Sequence, residues 1–434
     1  MKTAIRFVVA GLACAGWVFG ASSSSPQHIT FDVNDVSYLW PVATTQAEVD
    51  ALISGDDKLA DGVSRVWPQG VFDAVMKAAP SVGVESSAGI MNRIDFGPPA
   101  EALANPHTWK LVAFRVDPCA PGCNPKLTAA FGAVPQIRLV LQPVTVDGNT
   151  VQVHDLTAHL AFGFIGGMDS ERFVPDKDAF REVVNDLKSL KAESEAAGAT
   201  TSGPLRVHPG LEKRVPAFTD KVKAFITRRV SEPRLMAVAF VGLAPRPEPW
   251  IFYAMGRQPD GSFARARHPT LEGEGGQMLT LRGGTPVMPA PSTTNLVSGK
   301  GVSTSVLFPD ASGTSRLDTP VFADGARPLH RDIPNIIANP ALAHFRNTDC
   351  VSCHSESTRR SILKIPAGDA TFRFTPPAGI SGVDQGHLPQ HAWNVRNFGW
   401  FRQSATATQR TANEAAESAD VINREYLGAP KPPL

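Results

Sequence analysis

Residues 136–142 read Gln136-Ile137-Arg138-Leu139-Val140-Leu141-Gln142, with Ile137, Leu139 and Leu141 on one side. The turn Val146-Asp147-Gly148-Asn149-Thr150 leads into Val151-Gln152-Val153-His154-Asp155-Leu156-Thr157-Ala158-His159-Leu160-Ala161-Phe162. Two alternating runs around a short polar turn predict a β-hairpin. Working outward, Lys110–Val116 alternates in the same way, and Arg234–Val241 and Trp250–Met255 flank a proline-rich connection as two more buried strands. One helix interrupts them: residues 177–197 carry Phe180, Val183, Val184, Leu187 and Leu190 at helical spacing, with Asp176 as cap and Gly198 as stop. The expected class is α+β, with a β-rich domain over residues 21–283 that holds a few helices. His154 and His159 lie five residues apart on one strand and so face opposite sides, which argues against a metal pair.

At 434 residues with 42% apolar and 19% charged side chains, the chain is long enough for two or three domains with real cores. Disorder throughout and a fibrous repeat are excluded. The 42 Lys and Arg nearly cancel the 41 Asp and Glu, and no run of like charges stands out, so no nucleic-acid partner is expected. No Ser-His-Asp spacing, P-loop or dinucleotide fingerprint rises above chance.

At the start, Lys2 and Arg6 precede an uncharged apolar run from Phe7 to Phe19, followed by the small residues Gly20 and Ala21. This pattern predicts a cleaved signal peptide over residues 1–20. The run is shorter than the roughly 20 residues of a spanning helix. A periplasmic or secreted protein is therefore expected, with no membrane span after signal removal. Gly11 stands where a lipoprotein signal usually has Leu, which argues against lipidation at Cys14.

Signal removal would leave four cysteines in two close pairs, Cys119 with Cys123 and Cys350 with Cys353. The second pair reads Cys350-Val351-Ser352-Cys353-His354, the C-x-x-C-H pattern of covalent haem attachment. On a helix over residues 350–362, Cys353 and His354 fall three and four places after Cys350, so all three project from one face. Thr348 or Asp349 can cap such a helix, Glu356 and Arg360 are spaced as an ion pair, and Pro366 follows its end.

In this motif the chain resembles the c-type cytochromes. The resemblance implies one haem c, with Cys350 and Cys353 bonded to its vinyl groups and His354 as the proximal iron ligand. Two other readings of the cysteines stay open: an all-cysteine zinc site made by both pairs, and two ordinary disulfides. An exported protein rarely keeps four free thiols, and a Cys350–Cys353 bond would strain a helical turn.

Cys119 and Cys123 lie among Pro118, Pro121, Gly122 and Pro125 after a strand-like run, and a disulfide pinning a turn is expected there. The pair also resembles the copper-binding loop of the chaperones that serve cytochrome oxidase, with His208 as the downstream histidine. The Leu205–Gly210 segment around His208 departs from that family's histidine segment.

Residues 284–327 are rich in Gly, Pro, Ser and Thr and read as a linker. Residues 328–434 then have the size of a small, mainly helical cytochrome c-like domain. Its last helix is marked by a capping box at Thr411-Ala412-Asn413-Glu414, a stop at Gly428, and an apolar face of Ala412, Ala415, Ala419, Ile422 and Tyr426. No Met follows Met288, so the sixth iron ligand is expected from His391 or His387, beside the aromatic run Trp393–Phe401. His344, His330 and Met288 are held in reserve, and Arg346, Arg359, Arg360 and Arg396 are candidate partners for haem propionates. The expected function is electron transfer with a redox partner protein. The alternative is a peroxidase-like haem enzyme or a haem sensor with an open iron, although a single C-x-x-C-H departs from the dihaem peroxidases.

Overall fold

The computed structural model describes residues 29–78, 84–85, 91–92, 100–123, 132–169, 172–243, 249–266, 276–278, 281–282, 285–286, 332–344, 350–363, 370–391 and 396–428, with residues 125, 128, 348 and 394. The expected signal peptide lies outside the described residues, as does the linker apart from Thr285 and Pro286.

The main sheet is built from β1 (Ser37–Leu39), β2 (Trp109–Ala120), β3 (Val134–Asp147), β4 (Thr150–Val153), β5 (Leu156–Gly163), β6 (Leu235–Leu243), β7 (Pro249–Arg257), β8 (Phe263–Ala266) and β9 (Gly276–Met278). It is antiparallel in the order β1-β2-β3-β5-β6-β7-β8, with β4 on β3 and β9 on β7. The predicted hairpin is present but split. Asp147 pairs with Thr150 across Gly148, whose φ of +56° suits glycine at the turn. The ladder then breaks at His154 and Asp155, and β5 rejoins β3 from Leu141 opposite Ala158. In that break the His154 Nε2 meets Thr145 Oγ1 at 2.8 Å.

One face of the sheet is apolar. Phe114, Val116, Ile137, Leu139, Leu160, Phe162, Val238 and Phe240 are all buried on it. Helices α1 (Gln69–Ala78), α2 (Lys177–Ala196) and α3 (Pro216–Arg229) contribute side chains to the same core. The Phe114 and Phe225 rings lie 5.7 Å apart. Helix α2 follows its sequence closely: the Asp176 carboxylate accepts from Ala179 N at 3.0 Å, Gly198 beyond its end has a φ of +72°, and the five predicted apolar residues are buried. Each such side chain contributes about 1.5–3 kcal/mol through burial.

The other face carries polar side chains, and the C-terminal segment covers it. This segment contains α4 (Ile333–Ala338), α5 (Cys350–Leu363), the hairpin of β10 (Phe398–Phe401) and β11 (Ser404–Ala407), and α6 (Gln409–Glu425). Gln142 accepts from Trp400 N at 2.7 Å and donates to Trp400 O at 2.9 Å. Arg396 bonds Thr157 Oγ1 and Asp155, and Glu414 bonds Arg115. The segment also reaches the N-terminal residues, since Trp400 Nε1 donates to Trp40 O at 2.8 Å and Phe31 N to Asn423 Oδ1 at 2.7 Å. One apolar cluster runs from Phe31 through the sheet to Trp400 and Ile422. Among the described residues, the stretch after 328 therefore shares its core with the β-rich part instead of building a separate one. The class is α+β.

Helix α6 shows a second difference. Its cap is Thr408, whose hydroxyl accepts from Thr411 N at 3.2 Å, so Thr411 lies inside the helix and Glu414 is free to turn toward the sheet. Its small-residue face is buried as expected, and Gly428 beyond it has a φ of +70°. No helix among the described residues is long and apolar enough to cross a membrane.

Candidate haem-binding site

Helix α5 carries the C-x-x-C-H motif in its first turn and a half. The predicted pair forms, with Arg360 Nε donating to Glu356 Oε1 at 2.8 Å, and Arg360 also reaches Asn335 Oδ1 at 2.9 Å. Further along, Ser357 Oγ accepts from Gln409 N at 3.0 Å, and the Thr358 hydroxyl bonds Asn394 O. These bonds tie α5 to the start of α6 and to the strap before β10.

That strap also ties α5 to the sheet. Asn397 Nδ2 stands 4.0 Å from Cys353 Sγ, while its neighbour Arg396 is bonded to Thr157 and Asp155 on and beside β5. Side chains alternate along a strand, so His159 projects from the same face two residues beyond Thr157. His159 lies between Val140 and Ala239 in register, and Arg138 lies between Arg115 and Ala161. Continuing across the sheet, the positions on this face are Ala237, Ala254 and Gly256. A Cβ built at Gly256 would meet nothing within 4 Å among the described residues.

Arg138, His159 and Cys353 are enclosed by protein, yet each keeps part of its surface accessible, as does His354. Two observations bear on what could bind beside α5. Asn397 Oδ1 is buried with no hydrogen-bond partner among the described residues. The Arg138 guanidinium likewise makes no hydrogen bond there, although Arg115 beside it is paired with Glu414 and Asp117. A large planar group with carboxylates at its edge would find small residues along the strands and one unbonded donor, Arg138, for a carboxylate, while Asn397 Oδ1 can only accept a hydrogen bond.

The electrostatics agree. Burial pushes the Glu414 carboxyl up, but Arg115, Arg410 and Arg138 outweigh it and hold the group well below the usual carboxylate range. Burial, with Arg138, His354 and Arg115 nearby, lowers His159 to about 3, so its imidazole is neutral. Burial raises the Cys353 thiol to about 11.

The structure brings together Cys353 and His354 of the predicted site; the Cys350 side chain lies outside the described residues. The two predicted distal histidines have these surroundings. His387 accepts from Val207 N at 3.3 Å through Nε2, and the charges acting on it come from Asp384, Glu212 and Arg206. His391 is exposed, its ring 5.2 Å from that of Phe401, and Arg402 is the charge acting on it. Of the predicted arginines, Arg360 and Arg396 are occupied by the partners above, and the Arg346 and Arg359 side chains lie outside the described residues, as do His330 and Met288.

The Cys119 and Cys123 sulfurs are paired as a disulfide with their Cα atoms 5.0 Å apart. Asp117 completes that cluster by accepting from Cys119 N at 3.0 Å. Cys353 is not among the groups gathered there, which leaves an all-cysteine zinc site without support among the described residues. His208 is stacked between Tyr38 and Phe218, with ring centroids at 4.1 and 5.5 Å, and accepts from Gly210 N, so the copper-loop reading lacks its histidine.

Sequence reading passed over Arg115 and Arg138, set His159 aside and took Glu414 for a capping residue. The available signal was charge in the wrong place: Arg115 and Arg138 interrupt otherwise apolar strands, and buried charges need partners. No family model, curated protein or solved structure matches the chain.

Proposed function

We propose that the chain is an exported protein that carries one covalent haem c and passes single electrons to and from a redox partner protein. The observation that carries this reading is the C-x-x-C-H motif at the start of α5, with Cys353 beside Asn397, whose buried Oδ1 has no hydrogen-bond partner among the described residues. When bound, the haem supplies a one-electron iron couple.

The chain's own residues have clear tasks under this reading. Cys350 and Cys353 hold the group through thioethers, and His354 ligates from α5. Arg138, with Arg115 beside it, faces the carboxylates, since guanidinium matches a carboxylate in a bidentate fork. The sheet fixes Arg115 and Arg138 on rigid backbone. The apolar run at residues 7–19 supports export, which matches the compartment in which a disulfide persists.

The test is haem staining of the exported full chain after denaturing electrophoresis. Wild type should retain stain, and Cys350→Ala with Cys353→Ala should lose it. An unstained wild-type band from a host able to attach haem would remove the proposal.

A further inference from the structure

We propose that His159, on β5, is the second axial ligand of the iron held by His354, so that the iron is gripped between a sheet strand and the motif helix. This rests on the haem reading above.

The placement follows from backbone geometry. Thr157 and His159 share a face of β5, and Thr157 is bonded to Arg396, whose neighbour Asn397 lies beside Cys353. Cys353 and His354 are adjacent on α5, and the charge of His354 acts on His159. One imidazole is thus carried by the helix and the other by the sheet. The residues around His159 leave it room: Ala239 and Val140 flank it in register, with Ala161, Ala254 and Gly256 beyond. The His159 ring makes no hydrogen bond among the described residues, so a nitrogen lone pair is available to a metal. By contrast, Nε2 of His387 is committed to Val207 N, and His391 is exposed beside Phe401.

Strand position matters chemically. A ligand on a central strand cannot swing away as one on a loop can, so the iron stays six-coordinate in both oxidation states. Two imidazoles also favour a lower potential than a His/Met pair.

The experiment uses the exported, haem-stained full chain and records optical and electron paramagnetic resonance spectra with and without carbon monoxide. Wild type should be low-spin and indifferent to the gas. His159→Ala should become high-spin and bind carbon monoxide, and added imidazole should restore the low-spin spectrum. His159→Met keeps a ligand and should stay low-spin with a raised potential, a change that a purely structural role would not produce. His387→Ala and His391→Ala should match wild type. A stained wild type that is already high-spin overturns the ligand assignment and leaves the haem reading standing, as does a His159→Ala protein that stays low-spin without imidazole. An unstained wild type overturns both.

Discussion

Glu414, in the second turn of α6, is ion-paired with Arg115 in the middle of β2, 299 residues earlier in the chain. Arg410 holds the other carboxylate oxygen at 2.6 Å and also donates to Ala343 O at 2.7 Å. Breaking a buried pair from one side strands the remaining charge, so Arg115→Ala should cost about 3–5 kcal/mol in denaturant unfolding. In a Glu414→Leu background Arg115→Met should cost clearly less than it does in wild type. Losses that simply add in the double variant would mean that the pair is not energetically coupled.

Two neighbouring carboxyls oppose one another in pH dependence. Glu414 has a depressed folded-state value, so its contribution is present above the ordinary glutamate range and is lost as pH falls through the folded value. Glu417 is raised to about 7, chiefly by burial, so the folded state binds its proton more tightly than the unfolded state does. Stability from Glu417 therefore declines as pH rises from about 4.5 to about 7. Glu417→Gln should be more stable than wild type at pH 8, by on the order of 1–3 kcal/mol, and indistinguishable at pH 4. A gain of the same size at both pH values would contradict the burial account.

Trp400 is fully buried and shares its cluster with Trp40 and Val112. Trp400→Ala should lower stability by about 3–5 kcal/mol. Because one core spans both halves of the chain, wild type should unfold in a single transition by far-ultraviolet and tryptophan signals. Two separate transitions would show that the C-terminal segment folds by itself.

Gln142 satisfies both the N–H and the C=O of Trp400, acting as one rung of a strand ladder. Gln142→Leu keeps the bulk and leaves two buried backbone groups unpaired, at about 1–3 kcal/mol each. Gly399 beside it has a φ of +145°, and an added Cβ would stand 2.7 Å from Gln142 Oε1. Gly399→Ala should therefore also destabilise, and combining it with Gln142→Ala should recover part of the loss. Failure of the double variant to recover any stability would assign the cost to backbone strain alone.

Periodicity made much of the scaffold legible. Helix α2, its cap at Asp176 and its stop at Gly198 follow from spacing and local chemistry, which act over a few residues. The strands around Ile137 and Val238 were legible for the same reason. The C-x-x-C-H motif is likewise a local pattern, since its three residues need only one helical turn to share a face. Misreadings arose where a residue answers to a distant partner. Glu414 has the spacing of a capping residue after Thr411, but the buried Arg115 is the stronger attraction. His159 looked ordinary because strand alternation separates it from His154, and nothing nearby in sequence indicates what faces it.

By itself, then, the sequence determined the α+β class, the hairpin, the long helix and the C-x-x-C-H motif on α5, all of which depend on short-range periodicity and chemistry. Tertiary structure alone decided that the C-terminal segment covers the polar face of the sheet, and that Arg115 meets Glu414 there. That meeting depends on burying one continuous apolar core and pairing the charges enclosed with it, and both are settled by which surfaces come together rather than by neighbours in the chain.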